Sequence, residues 1–102
     1  MGLSRNGVID GRMTKSIHTP PYKRLLALLV ERRKAADMSQ YDLADRLGRP
    51  QSFVAKVEGG ERRIDVIEFL EIARALGADS YDMLRAVEEE AQRAQPQSTA
   101  DA

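Results

Sequence analysis

The sequence predicts an all-α domain of five helices. Apolar residues recur at three- and four-residue spacing in five successive segments, and no segment sustains the alternation of a half-buried strand. A glycine, a proline or a short capping residue stands at nearly every junction between those segments. The chain has 102 residues, 42% hydrophobic and 31% charged, which suits one small domain around a single core and leaves no room for a second catalytic domain.

The first helix is expected over residues 20–36. Thr19 is placed to cap it, Pro20 occupies the first helical position, and Tyr22, Leu25, Leu26, Leu29 and Val30 form its apolar stripe. Ser39 caps the second helix, with Asp42 in its first turn and Leu43, Ala44 and Leu47 on its inner face. Gly48 stops it, where a left-handed cap favours glycine. Pro50 opens a short third helix, in which Val54 and Val57 share one side before Gly59 and Gly60 end it. Asp65 and Glu68 have the spacing of a capping box for the fourth, whose Ile67, Leu70, Ala73 and Leu76 are expected inside before Gly77. Asp79 or Ser80 starts the fifth, with Tyr81, Leu84, Val87 and Ala91 on one stripe.

Outside these helices the pattern fades. Residues 1–18 read as a flexible N-terminal arm, within which Met13 would serve equally well as a start, and residues 94–102 read as a disordered polar tail. The folded domain is therefore expected over 19–93, with its helix-turn-helix at about 39–58.

Composition excludes several chemistries. With no cysteine, disulfide scaffolds, thiol nucleophiles and cysteine-ligated metals are out, and His18, the only histidine, reads as a solvated arm residue. No phosphate-binding glycine loop, nucleophile elbow or metal motif is present, so neither enzyme activity, a cofactor nor a metal is expected. Asp42 and Asp45 read as a polar helix face. The longest apolar stretch, Leu25 to Val30, falls far short of the roughly 20 residues of a membrane span, and no signal peptide is recognisable, which implies a cytoplasmic protein without membrane contact.

Sixteen basic residues balance sixteen acidic ones, so any affinity for a polyanion must come from charge distribution. The first third is strongly basic and the region after Ile64 is acidic. Such asymmetry suggests one face for a polyanion and another for a different contact, although both runs also fit ordinary solvated helix faces.

The second and third helices carry the functional information. Two helices joined by a tight turn at Gly48 make a helix-turn-helix, and four positions in it are restrictive. Ala44 has to be small where the third helix crosses, Gly48 has to reach positive φ, and Val54 and Val57 have to be apolar to hold the third helix on the second. To this are added the Ser39-Gln40 start, the Gln51-Ser52 opening of the third helix, its Lys56-Val57-Glu58 end, and the following helix that closes in Ala73-Arg74-Ala75-Leu76-Gly77. With these motifs the stretch from Met38 to Gly77 resembles the helix-turn-helix family of phage repressors and Cro, also called the XRE family, and the likeness extends over the flanking helices.

That resemblance implies a lambda-repressor-like fold and a role for each matching position. Gln40 would bond a DNA phosphate and buttress Gln51. Gln51 and Ser52 stand where the family presents base-reading side chains to the major groove, and glutamine can pair bidentately with adenine. Lys56 would reach a base edge or a phosphate. Arg49, Arg62 and Arg63 would hold the sugar-phosphate backbone, and Phe53 would either touch a thymine methyl or pack at the rim. Glu58 is expected as a structural ion-pair partner. Two departures stand out: Gly59 replaces a usually basic residue, and Pro50 replaces the usual serine or threonine cap.

Three functional classes follow. The leading one is a sequence-specific transcriptional regulator, a repressor binding double-stranded DNA at a palindromic operator as a homodimer, with Tyr81, Leu84 and Val87 of the fifth helix as the dimer surface. The alternative is an antitoxin-like or adaptor module whose acidic C-terminal third binds a protein partner such as a toxin, with DNA binding for autoregulation. An enzyme is the third, and lacks any nucleophile-base or metal constellation.

Overall fold

Four of the five helices begin at a side-chain cap, and the remaining one follows a proline. The computed structural model describes residues 19–94, and contains α1 (Pro20–Ala35), α2 (Gln40–Leu47), α3 (Gln51–Glu58), α4 (Val66–Leu76) and α5 (Ser80–Arg93). The arm read over 1–18, with His18 and Met13, and the tail from residue 95 lie outside the described residues. Thr19 caps α1 through the Tyr22 N–H, with Pro20 in the first turn. Ser39 and Asp42 form a reciprocal capping box on α2, and Asp65 and Glu68 form another on α4. In the first box the Ser39 backbone N–H, followed by its hydroxyl, holds the Asp42 carboxyl below the usual carboxylate range. Asp79 caps α5.

Helix ends are closed by backbone bonds that need a left-handed residue. Gly48 takes φ +67° after α2, where its N–H bonds the Asp45 carbonyl at 3.1 Å and the Arg49 N–H bonds the Ala44 carbonyl at 3.0 Å. This turn aims α3 across α2. After α1 the same closure places Asp37 at φ 61°, the one non-glycine residue at positive φ among those described, with Met38 N–H on the Arg33 carbonyl at 3.1 Å.

The core lies where α1, α2, α3, α4 and α5 converge. It contains Leu28 and Leu29 of α1, Leu43 and Ala44 of α2, Phe53, Val54 and Val57 of α3, Phe69, Ile72, Ala73 and Leu76 of α4, and Met83 of α5, with Ile64 from the α3–α4 loop. Burying side chains of this size contributes about 2 kcal/mol each. Tyr22 seals one edge, its hydroxyl accepting the Ile64 backbone N–H at 3.1 Å. Arg46 of α2 donates to the Ala75 carbonyl in the last turn of α4, tying those helices together.

Three stripes differ from expectation. In α4, Ile67 and Leu70 are 63% and 44% exposed, while Phe69 and Ile72 are buried in their place. Apolar residues surround this helix on most sides, so period alone does not choose the inner face; the Ile64 anchor and the Asp65 cap set its rotation. In α1 the buried stripe is Tyr22, Leu28, Leu29 and Arg33, with Leu25 and Leu26 only partly covered and Val30 half-buried. In α5 the fully buried residue is Met83, and Val87 packs against the core, which leaves Tyr81 and Leu84 facing outward at 75% and 46% exposure.

Arg33 is the buried charge of the core, and its carboxylate partner is Glu58 at the far end of α3. Its Nε donates to Glu58 Oε2 at 2.7 Å, its Nη2 to Glu58 Oε1 at 3.0 Å, and its Nη1 to the Met38 carbonyl at 2.8 Å. Both side chains are about nine-tenths buried, at 10% and 9% exposure. A bidentate pair of this kind satisfies both ions and fixes α1 against α3.

Two stability experiments follow from these features. Gly48→Ala is expected to lose about 1 kcal/mol by urea denaturation, since its added Cβ meets nothing within 4 Å and only the backbone strain remains, whereas Asp37→Gly should gain a few tenths, about 0.5 kcal/mol, by relieving the same strain. Glu58→Leu, which leaves the Arg33 charge buried and unpaired, is expected to cost about 3 kcal/mol, and adding Arg33→Met should recover part of that loss.

Candidate nucleic-acid interface

α3 divides its residues by depth. Phe53, Val54 and Val57 enter the core, while Ser52 and Lys56 are exposed and Gln51 is half-buried at the first turn. Pro50, the residue before Gln51, provides no side-chain cap, so the start of α3 is built differently from that of α2 or α4.

A chain of hydrogen bonds leads from the buried ion pair to this first turn. Glu58 Oε1 accepts the Gln40 Nε2 at 2.8 Å, and Gln40 Oε1 accepts the Gln51 Nε2 at 2.9 Å. A carboxylate can only accept, so Gln40 must turn its N–H toward Glu58 and its carbonyl toward Gln51. Gln51 must then donate. The charge of Glu58, fixed by Arg33, thereby determines the orientation of two amides in succession. One N–H of Gln51 is consumed, and its carbonyl oxygen and second N–H remain. The sequence marked Gln40 as a buttress of Gln51 and Glu58 as an ion-pair partner; the link between them through Glu58, and Arg33 as its partner, were not marked. The available signal was that Arg33 follows Leu29 by four residues and so lies on the buried face of α1.

The arginines fall into two groups. Arg49, from the α2–α3 turn, and Arg62, from the loop after α3, both lie over the Phe53 ring, with guanidinium carbons 4.3 and 5.0 Å from its centroid. Both also reach Glu68 of α4. Arg62 Nη2 is 2.6 Å and Arg49 Nη2 is 3.6 Å from Glu68 Oε2. Arg63 is separate, its guanidinium 4.8 Å from the centroid of Tyr22. Phe53 itself is 8% exposed and packs into the core beneath the two arginines. Packing is one of the two roles expected of it. Glu68 was legible only as a capping residue; its contacts with arginines from two loops depend on how α4 docks.

The expected site residues therefore lie on or beside α3: Gln40 bonds Gln51, Ser52 and Lys56 are exposed on the helix, and Arg49 and Arg62 cover Phe53. Arg63 lies toward α1. Tyr81 and Leu84 belong to α5, which packs chiefly on α1, and do not join this group. Among the described residues no helix is long and apolar enough to cross a membrane.

Comparison with known proteins gives the family of this fold. The Helix-turn-helix family model matches residues 29–82, from within α1 to the first turn of α5. The chain is 53% identical to an XRE-family like protein from Pseudomonas syringae pv. tomato str. DC3000, and the match covers 76% of this chain and 94% of that one with a TM-score of 0.68. A comparison with curated proteins gives no match. The chain belongs to the XRE family of helix-turn-helix proteins, which is a DNA-binding type of transcription regulator.

Proposed function

We propose that this protein is a sequence-specific repressor that binds a palindromic operator as a homodimer, placing α3 of each copy in the major groove. The observation that supports this best is the oriented amide of Gln51. With one N–H held by Gln40, Gln51 keeps one acceptor and one donor side by side, the pair that adenine's N6–H and N7 edge requires. Gln51 is half-buried, so it enters a complex already oriented and loses little rotamer freedom. Ser52 and Lys56 flank it on the exposed side of α3, Ser52 to read a base edge and Lys56 to reach a base or phosphate.

Phosphate contacts set the register. Gln40 stands in the first turn of α2, where the partial positive charge of a helix start favours an anion. Arg49, Arg62 and Arg63 supply charge on either side, which positions the domain without reading sequence. With no net charge overall, this attraction depends on where the arginines lie. A regulator of this kind needs neither cofactor nor metal and works in the cytoplasm, where the DNA is.

Two copies reach successive major grooves when their α3 helices are about 34 Å apart. The dimer surface is α5, where Tyr81 and Leu84 are exposed apolar side chains outside the core and Val87 borders them.

The reading is tested by selecting duplexes from a random pool at about 150 mM salt. Enrichment of a symmetric motif is expected, and Gln51→Ala should lose about 1–3 kcal/mol of discrimination at one base position in each half-site; failure to enrich any motif, or a motif unchanged by the substitution, would sink it. Sedimentation supplies the second check: Leu84→Glu is expected to give a folded monomer with weakened operator affinity, and a dimer of normal affinity would remove α5 from the interface.

A further inference from the structure

Arg49 and Arg62 are brought together although like charges repel. They come from loops on opposite ends of α3, yet both guanidinium groups lie over one ring and within 4 Å of one carboxylate oxygen, Glu68 Oε2. The ring face and the carboxylate offset the repulsion.

Glu68 cannot readily follow its partners outward. Its other oxygen accepts the Asp65 N–H at 3.1 Å, its own N–H bonds Asp65 Oδ1 at 2.7 Å, and its side chain is 13% exposed. The arginines differ in this respect, at 36% and 40% exposure. The result is a fixed carboxylate below two partly open guanidinium groups. Two positive charges against one negative leave a net charge of about +1, the complement of a single phosphodiester. The location also fits, because Arg49 precedes Gln51 by two residues and Phe53 belongs to the same helix as the reading side chains.

We propose that Phe53 and Glu68 pre-form a seat in which Arg49 and Arg62 together take one phosphate of the DNA backbone, with Glu68 as its positioning residue. This rests on the DNA-binding reading above. In the free protein Glu68 holds both arginines in place and shields one unit of their charge. In the complex the guanidinium N–H groups that face outward bind the phosphate, while the ring and carboxylate keep the fork from swinging.

The test uses the full chain, a labelled mixed-sequence duplex and a salt series from about 50 to 200 mM, the range over which phosphate contacts weaken steeply. Glu68→Gln keeps an oxygen for the Asp65 N–H and so retains the capping box, but loses the charge. Removing that charge should steepen the dependence of log affinity on log salt by about one, and losing the tether should make binding about threefold weaker at high salt, so that the two lines cross. Phe53→Leu, which fills the core but lacks the ring, should weaken binding several-fold with little change in slope. If Phe53→Leu unfolds, Glu68→Gln alone decides. A slope equal to the wild type would overturn the seat and leave Glu68 as a cap only. Tighter binding by Glu68→Gln at every salt concentration would overturn it too, by making the carboxylate merely repulsive. No binding by the wild type at the lowest salt would instead overturn the DNA reading, and the seat with it.

Discussion

The buried Arg33–Glu58 pair is the constraint on which the rest of the structure depends. A guanidinium and a carboxylate withdrawn from water are tolerable only when each satisfies the other, and here two bonds join them directly while Arg33 also donates to the Met38 carbonyl and Glu58 also accepts from Gln40. Among the described residues no buried side-chain nitrogen or oxygen lacks a partner. An apolar contact in this place could hold α1 against α3 as firmly. It could not orient Gln40, because a methyl group does not distinguish the two ends of an amide.

That difference connects stability to recognition. Glu58 accepts from Arg33 on one side and from Gln40 on the other, so the ion pair that locks the helices also sets the polarity of the amide on α2 and, through it, of Gln51. A side chain oriented in this way from inside the protein loses little rotamer freedom in any contact it makes. On the other flank of α3 a second arrangement, Phe53 with Arg49, Arg62 and Glu68, is built from different chemistry. The first arrangement is made of neutral amides and the second of charges, and under the proposed function they divide into base and phosphate contacts.

The whole chain carries these groups with no net charge. Glu58 and Glu68 both lie close to the proposed interface, yet each is paired with arginine and neither presents an unpaired carboxylate to the surface. Acidic residues of α5 lie on a different element, next to the exposed Tyr81 and Leu84. Charge distribution therefore separates two surfaces that a count of charges would merge.

Local chemistry made much of this legible in advance. The five helices, the capping boxes at Ser39 and Asp65, the left-handed Gly48 and the inward Val54 and Val57 all follow from side-chain and backbone preferences that act over a few residues. The family resemblance also rests on such local spacing. What failed was the choice between competing faces: Ile67 and Leu70 of α4 are as apolar as Phe69 and Ile72, and only docking through Ile64 and Tyr22 decided which pair is buried. Glu58 was expected as an ion-pair partner, but its pairing with Arg33, like that of Glu68 with its two arginines, joins residues far apart along the chain or on separate loops. The sequence by itself determined the helices, their ends and the turn between α2 and α3, because those depend on neighbours within one or two turns. Tertiary structure alone decided which charges meet and which amide end faces out, because an ion pair or hydrogen bond is selected by distance in space, and folding sets that distance.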